Sequence, residues 1–325
     1  MLETTRICEA LSHGCMVISE RGVNNEEYPE LEELVDFVNA DDIEAIEHRI
    51  QYWMSNQDLL NEKIKKNNEI IEKSFKSFNF FISRFLLYYN IIDFELFYKN
   101  LHDFFDLKDK KVCIGMPESI ERAKYFKSIN KYGFKVFPAI KFPIGWIGCG
   151  MSYKFISRKA LEEKIDNLII CEDDVEFLPD FKERFKVAEE YFFKNNIDLF
   201  SGFIVDLHKD AIIYNIKKYK EVEFITVNKM TSCVFCHYGK RILEKIALWD
   251  EKNKDESNTI DRYLENCTDL KISFAFPFLV GHNDNLFSTL WNFKNDKYNK
   301  LLESTIDKIN KKKKEYLEQK NYTYK

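Results

Sequence analysis

The stretch Leu168-Ile-Ile-Cys-Glu-Asp-Asp-Val-Glu-Phe177 sets the interpretation of the chain, because four apolar residues run directly into three carboxylates. Such an apolar run is typical of a short strand buried on both faces of a sheet. In an open α/β sheet, ligands bind beyond the carboxyl ends of the strands, where Glu172, Asp173 and Asp174 would lie. Adjacent carboxylates repel one another unless a cation lies among them, and carboxylate oxygens suit Mg²⁺ or Mn²⁺. The stretch therefore predicts a divalent metal at a strand end, with a solvated acidic turn as the alternative.

Length and composition exclude several classes of protein. The chain has 325 residues, of which 45% are hydrophobic and 15% aromatic, so it can form a packed core and is not a disordered protein. Its length predicts two domains or one large domain. The net charge is −5, and no basic stripe is interleaved with aromatic residues, which argues against a nucleic-acid partner.

The apolar runs and the cysteines predict a cytoplasmic protein. No apolar run reaches the ~18 residues that span a bilayer, and the chain does not start with a secretory signal peptide. Its eight cysteines would then be reduced. The pair in Cys233-Val-Phe-Cys236 has no second pair at zinc-ligand spacing and lies in an apolar run. We therefore interpret both residues as buried free thiols rather than a metal or redox site.

The residues before the acidic stretch predict an α/β domain. Residues 112–115 form a predicted strand, 120–129 a helix and 135–140 the next strand. Residues 143–152 contain three glycines, and we interpret them as a loop through which the backbone approaches a ligand closely. The sequence contains neither a P-loop nor the GxGxxG fingerprint.

This part of the chain resembles glycosyltransferase family 25, whose members are GT-A enzymes and include lipopolysaccharide and collagen galactosyltransferases. The resemblance covers about residues 111–293 and follows the order and spacing of the family's segments. The matching positions are Arg122, Ile147–Ser152, Ile169–Asp174, Thr231–Leu243, Thr259–Leu264 and Phe276–Ser288. One departure is Tyr153, where the family usually has a histidine, and it leaves the role of the glycine-containing loop open.

The resemblance implies a Rossmann-like GT-A domain with a mixed sheet. It also implies a metal-dependent, inverting transfer of a hexose, galactose or glucose, from a UDP-sugar to a hydroxyl of a glycan or lipid-linked glycan. The product would belong to lipopolysaccharide or another surface glycan. Mn²⁺ or Mg²⁺ would rest on Glu172, Asp173 and Asp174 and stabilise the diphosphate leaving group. His282 would be a further ligand, as a histidine near the end of the domain is in several GT-A families, and the alternative is an exposed histidine in a polar loop. Asp261 would be the catalytic base. The alternative for Asp261 is an acid favoured by the dipole at a helix N-terminus.

The same resemblance places the nucleotide beside Pro117, Ser119 and Arg122, and beside Gly148 and Ser152 of the predicted loop. The weaker candidates for the base are Asp206 and Asp284. The competing hypothesis is a decayed, non-catalytic protein that binds a nucleotide sugar or only a partner.

Residues 1–92 resemble the end of the C-terminal, donor-binding lobe of GT-B glycosyltransferases, followed by its terminal helix. The resemblance rests on Arg6, on Glu9-Ala-Leu before Gly14, and on the short Val-Ile strand that follows. It implies that Arg6 and Glu9 face a donor, whereas a solvated helix face is the alternative. Because most of such an enzyme has no counterpart in the sequence, we interpret this part as a remnant.

We expect four parts in the chain. Residues 1–92 form the partial GT-B lobe, 93–110 a linker, 111–300 the GT-A domain, and 301–325 a basic helical tail. The lysines at 311–314 would be solvated or touch an anionic membrane that carries a lipid-linked acceptor, so that contact with the inner face of the membrane is at most peripheral.

Overall fold

Residues 4–22, 29–267, 269–287 and 298–323 are described by a computed structural model. The chain divides into two units, Met1–Ile82 and Ser83–Lys325. The elements that begin in the first unit are α1 (Thr4–Ser12), β1 (Ile18–Glu20), a 3-10 turn (Pro29–Glu33), β2 (Asp36–Val38), α2 (Ile43–Ser55) and α3 (Gln57–Tyr88), whose last residues belong to the second unit.

The first unit is built on two short parallel strands, β1 and β2. Ile7 and Leu11 of α1 pack into a small core with residues 31–35. Helix α2 is capped by the Asp42 side chain, which accepts a hydrogen bond from the backbone of the first turn. The apolar side of this helix is only partly covered: Trp53 is half-buried and donates to Asp36, whereas the side chain of Ile43 is 69% exposed. Two strands of three residues offer too little surface to bury all of it.

The second unit contains the remaining strands and helices. Its strands are β3 (Lys111–Gly115), β4 (Lys135–Pro138), β5 (Asn167–Glu172), β6 (Val175–Phe177), β7 (Leu199–Ser201), β8 (Ile213–Tyr219), β9 (Val222–Val227), β10 (Phe235–Gly239), β11 (Ile272–Phe276) and β12 (Val280–His282). Its helices are α4 (Phe94–Leu101), α5 (Ile120–Ile129), α6 (Gly145–Glu162), α7 (Phe181–Lys194), α8 (Lys240–Ala247), α9 (Ile260–Glu265) and α10 (Tyr298–Thr323), with a 3-10 turn at Glu256–Asn258.

Eight strands form one mixed sheet in the order β4-β3-β5-β10-β7-β11-β9-β8, while β12 and β6 form a separate antiparallel pair. Strands β4, β3 and β5 are parallel, so their carboxyl ends lie at the same edge. Strand β10 runs antiparallel to both β5 and β7. The predicted α/β class with a mixed sheet is confirmed. Strand β3 lies between β4 and β5, so the connections that follow β3 and β4 lead to opposite sides of β3. A crevice forms between such connections at the carboxyl ends of the strands.

The segment predicted as a linker, residues 93–110, holds a buried helix instead. Phe97 and Tyr98 of α4 pack edge-on against Phe155 of α6, with ring centroids 6.0 and 5.1 Å apart. The Lys159 ammonium donates a hydrogen bond to the backbone carbonyl of His102. Most of the predicted linker is therefore part of the core of the second unit.

The glycine-containing loop predicted at residues 143–152 is largely helical, because α6 begins at Gly145. A Cβ on Gly148 would lie 2.4 Å from the backbone oxygen of Ile140, and a Cβ on Gly150 would lie 2.4 Å from the Trp249 ring. These two glycines allow the helix to approach its neighbours closely. The loop interpretation is wrong for residues 145–152, where the backbone is helical and Gly148 and Gly150 serve close packing.

The basic tail is a helix, as predicted, and α10 packs on β8. Thr305 and Ile309 are fully buried. The Lys308 ammonium lies 2.7 Å from a carboxylate oxygen of Asp206, and Lys312 donates to backbone carbonyls of the segment before β8. Several of its lysines are thus used within the chain. Among the residues that the structure describes, no helix is both long and apolar enough to cross a membrane.

Candidate functional site

The acidic triplet lies at the carboxyl end of β5, as its sequence predicted. The four preceding residues, 168–171, are at most 4% exposed, which confirms a strand buried on both faces. In the register of β3 and β5, Ile114 lies opposite Glu172. A Cβ on the next residue of β3, Gly115, would lie 3.0 Å from a carboxylate oxygen of Asp173. The glycine therefore leaves room for this carboxylate between the two strand ends.

A cavity of about 370 Å³ opens beside the triplet, at the carboxyl ends of β3, β4 and β5. Its size is within the range of small-molecule sites. One part of its lining is apolar and comes from Ile114, Met116, Ala139, Ile140, Phe142 and Pro143. The remaining lining is polar or aromatic and comes from Tyr88, Arg122, Lys141, Gly145, Cys149, Glu172, Asp173 and Asp174. The crevice thus joins an apolar wall to a cluster of charges.

Arg122, on α5, bridges two of the three carboxylates. Its Nε donates a hydrogen bond of 2.7 Å to Asp173 Oδ1, and its Nη2 donates one of 2.7 Å to Asp174 Oδ2. Its Nη1 donates to the backbone oxygen of Phe287. All three charged side chains are buried. The arginine predicted to meet the nucleotide therefore lines the cavity as the counter-ion of the acids.

His282 is brought to the triplet by the pairing of β12 with β6, in which it lies opposite Val175. Its Nε2 is 3.0 Å from Asp174 Oδ2, and its Nδ1 is 2.6 Å from Asp284 Oδ1. The backbone N–H of Asn283 donates to the backbone oxygen of Asp174. The structure thus places His282 beside the predicted metal site, in contact with a carboxylate that was predicted as a ligand.

Burial and charge separate the pKa values of these groups. Burial pushes the pKa of Asp174 up, but the hydrogen bond from His282 and the charge of Arg122 outweigh it and hold the value at about 2. Burial lowers the pKa of His282, but its hydrogen bond to Asp174 raises it to about 9. Burial, followed by the charge of Asp174, raises the pKa of Glu172 to about 8. Burial also raises the pKa of Asp173, against the charge of Arg122.

At neutral pH, these values give a protonated Glu172, an ionised Asp174 and a protonated His282. The cationic side chains of Arg122 and His282 therefore offset charge of the two aspartates in the triplet, and His282 also contacts Asp284.

The donors available to a metal are two carboxylates rather than a complete protein cage. Within the described ranges, no group of three or more His, Cys, Asp or Glu side chains is arranged to hold a metal ion. Asp174 Oδ1, however, is buried and has no hydrogen-bond partner among the described residues, and Glu172 lines the same cavity. Mg²⁺ is commonly held by one or two carboxylates together with substrate phosphates and water. The site fits a cation that arrives with a phosphorylated ligand.

The other predicted nucleotide contacts lie in two different environments. Pro117 is exposed and Ser119 is half-buried in the turn after β3, and neither lines the cavity. Ser152 is fully buried, where its Oγ donates to the Gly148 carbonyl and accepts from the Ile140 backbone N–H, each at 2.8 Å. Ser152 therefore links α6 to the segment after β4 through hydrogen bonds within the protein, and Gly148 accepts one of them.

Asp261 is half-buried in the first turn of α9 and does not line the cavity. Cys149 is a residue of the cavity wall. Its pKa is raised by burial and, to a smaller extent, by the charges of Glu172 and Asp261. The other two carboxylates considered for the base are paired, Asp206 with Lys308 and Asp284 with His282.

Two further predictions from the sequence concern residues away from the cavity. Arg6 and Glu9, expected to face a donor in the first unit, are both exposed on α1. Cys233 and Cys236 are buried thiols, and the Cys236 Sγ lies 3.5 Å from the Ser232 backbone oxygen.

Sequence reasoning missed several residues of the cavity wall, among them Tyr88 and Lys141. Lys141 is the first charged residue after the predicted strand 135–140, and its position at a strand end could have identified it. Tyr88 belongs to a helix that the sequence assigned to a different part of the chain, so no local pattern pointed to it.

Neither a protein-family model nor a curated protein matches the sequence. Among solved structures, the chain is similar to the crystal structure of A197 from STIV, with a TM-score of 0.33 and 14% sequence identity. The matched part covers 53% of this chain and 85% of that chain. A similarity at this TM-score carries no argument about fold or function.

Proposed function

We propose that the second unit is a GT-A glycosyltransferase domain, similar to family 25, that binds a UDP-sugar in the cavity and transfers its hexose to a glycan hydroxyl. The observation that carries the proposal is the buried carboxylate oxygen Asp174 Oδ1, which has no hydrogen-bond partner among the described residues and belongs to a cavity-lining side chain at a strand end. A buried ionised oxygen without a partner is costly unless a ligand or cation satisfies it.

The architecture around this oxygen supports the proposal. Three parallel strands end at the cavity, and a crevice at such a switch point is where open α/β sheets bind nucleotides. The β6–β12 pair brings His282 to the acids from a distant part of the chain. In the first unit, the parallel pair β1–β2 between two helices supports a partial Rossmann lobe, and the GT-B resemblance stays a prediction.

Each side chain has a distinct role in the proposed reaction. Mn²⁺ or Mg²⁺ bound at Glu172 and Asp174 supplies positive charge against the charge that develops on the diphosphate. Arg122 holds the two aspartates in fixed positions and adds positive charge to the cavity wall. The N-terminus of α6, which lines the cavity at Gly145, favours phosphate through the positive end of the helix dipole. Asp261 is the proposed base that accepts the proton of the acceptor hydroxyl.

The acceptor in the proposal is a glycan or lipid-linked glycan, with the protein acting in the cytoplasm or at the inner face of the membrane. The competing function is nucleotide-sugar binding without transfer. It is favoured by the balance of charge that Arg122 and His282 already provide at the triplet. Release of UDP from UDP-galactose or UDP-glucose, with Mn²⁺ and without an added acceptor, distinguishes the enzyme from the binding protein.

The binding test uses Glu172→Gln. Glutamine has nearly the shape of a protonated glutamate, and the pKa of Glu172 is about 8, so the variant should be as stable as the parent at pH 7. It lacks a carboxylate for the cation, so Mn²⁺-dependent UDP affinity should fall at least about tenfold in calorimetric titrations. Glu176→Gln is the matched control, because Glu176 is exposed and does not line the cavity. The assignment is contradicted if Mn²⁺ has no effect on UDP affinity in the parent, or if both variants bind as the parent does.

A further inference from the structure

One residue of the cavity wall, Tyr88, lies outside residues 111–300, the part of the sequence predicted to bind the nucleotide. Tyr88 is the last residue of α3 and lines the cavity. We propose that the end of α3 completes the donor site, with Tyr88 stacking on the base of a bound nucleoside diphosphate. This inference rests on the proposed function, and it adds a residue that determines affinity for the base rather than for the phosphates.

The lining of the cavity contains both charged and apolar side chains. Arg122, Lys141 and the three carboxylates supply its charge. Tyr88 and the apolar residues at the ends of β3 and β4 supply surface suited to a flat, weakly polar group. A nucleoside diphosphate has this same division, because its base offers a π face and its phosphates carry the charge. Aromatic side chains stack on bases in a way that tolerates different bases.

The Tyr88 ring is held in place from two sides. The Lys141 ammonium lies 5.9 Å from its ring centroid, and the Tyr89 ring meets it edge-on with centroids 5.1 Å apart. Helix α3 ends directly afterwards, where Asn90 has a φ of 55°, a left-handed conformation that stops the helix. The tyrosine is therefore presented at a fixed helix end rather than on a continuous helix face.

An ion pair between a buried arginine and an exposed glutamate attaches this helix end to the rest of the cavity. Arg84 lies one helical turn before Tyr88 and donates two hydrogen bonds to Glu118, at 2.8 and 2.9 Å. Its Nη2 is also 3.6 Å from the sulfur of Met116, which lines the cavity. Glu118 in turn lies 3.8 Å from Lys141. A bidentate arginine–carboxylate pair fixes geometry as well as charge, so the position of Tyr88 relative to the β3–α5 turn is defined.

The test compares Tyr88→Leu with Tyr214→Leu in the full chain, using UDP and inorganic pyrophosphate as probes in the presence of Mn²⁺. Tyr214, on β8, is the matched control, since it is 54% exposed and does not line the cavity. Tyr88→Leu should weaken UDP binding by about fivefold to about a hundredfold and leave pyrophosphate binding unchanged. Tyr214→Leu should bind both probes as the parent does. Tyr88→Trp, which keeps an aromatic face, should retain UDP affinity.

The outcomes separate this inference from the proposed function. If the parent binds UDP and Tyr88→Leu binds it equally well, the stacking role is wrong while the donor site stands. If Tyr88→Leu loses UDP and pyrophosphate in parallel, or if Tyr88→Trp loses UDP affinity as Tyr88→Leu does, the residue does not recognise the base and the inference is also wrong. If the parent binds neither probe, the proposed function itself fails. Thermal unfolding of each variant checks that the fold is intact.

Discussion

Two neighbouring stretches of this chain carry the residue types of a ligand site, and the structure gives them different roles. The acidic stretch 172–174 ends a strand beside a cavity, and its carboxylates contact Arg122 and His282. The glycine-containing stretch 145–152 begins a helix, and its glycines lie against Ile140 and Trp249. One stretch is built around charge and the other around close packing.

The difference follows from what each residue type costs when it is buried. Buried carboxylates need a counter-charge or a ligand, so their clustering at a strand end carries information about function. A buried glycine needs only a neighbour that approaches closely, and such neighbours occur throughout a protein core. Substitutions in the two stretches should therefore have different consequences. Those in the glycine stretch should lower stability, and those in the acidic stretch should mainly change binding and pH dependence.

The largest effect is expected for Gly148→Ala. Its Cβ would lie 2.4 Å from the Ile140 backbone oxygen, so α6 and the segment after β4 must move apart. The clash outweighs the gain of about 1 kcal/mol in helix propensity. The free energy of unfolding in urea should fall by about 3 kcal/mol or more.

Ser157→Ala is the control for Gly148→Ala in the same helix. Its hydroxyl is buried and has no hydrogen-bond partner among the described residues, so its loss should change stability by less than about 1 kcal/mol. Equal stability of Gly148→Ala and the parent would show that α6 is not packed as described, and the loop interpretation would regain support.

A smaller loss of stability, joined to a loss of binding, is expected for Asp174→Asn. The variant removes the charge that Arg122 and His282 share, while Asp173 still pairs with Arg122. The free energy of unfolding should fall by about 2 kcal/mol, less than for a buried pair that loses its only partner. UDP affinity with Mn²⁺ should fall at least about tenfold.

Asp166→Asn is the control for Asp174→Asn, because Asp166 is 69% exposed and should contribute less than about 1 kcal/mol. Unchanged UDP affinity in Asp174→Asn would show that the Asp174 carboxylate does not bind the cation, which contradicts the proposed cation site.

The local parts of this site could be predicted from the sequence because neighbouring residues determine them. The run 168–171 fixes a buried strand, and the residues that follow must lie at its carboxyl end. Lys141 follows β4 in the same way. The α/β class also follows from such local patterns.

The non-local parts could not be predicted from the residues alone, because they depend on contacts between distant segments. His282 reaches Asp174 only through the register of a three-residue strand, which leaves no periodic signal. Tyr88 reaches the cavity through the pair of Arg84 with Glu118. The glycines of α6 favour a loop by intrinsic propensity, and packing against Trp249 overrides it.

The smallest effect expected concerns the pH dependence of stability, measured by urea unfolding in the presence of EDTA. The pKa of His282 is about 9 in the folded protein, above its ordinary value of 6.5. A raised pKa contributes stability that is fully present below about pH 6.5 and is lost as the pH rises through 9. Since the side chain is 16% exposed, we expect a loss of about 1–2 kcal/mol between pH 7 and pH 10. Glu172, whose pKa is raised to about 8, adds a further loss of stability as the pH rises from 4.5 to 8.

His282→Gln should therefore flatten the parent's curve of stability against pH above pH 7 without removing the part due to Glu172. His48→Gln, at an exposed position on α2, should follow the parent curve. If His282→Gln loses as much stability as the parent between pH 7 and pH 10, the imidazole does not hold a proton between Asp174 and Asp284, and the charge balance described for the acidic strand end is wrong.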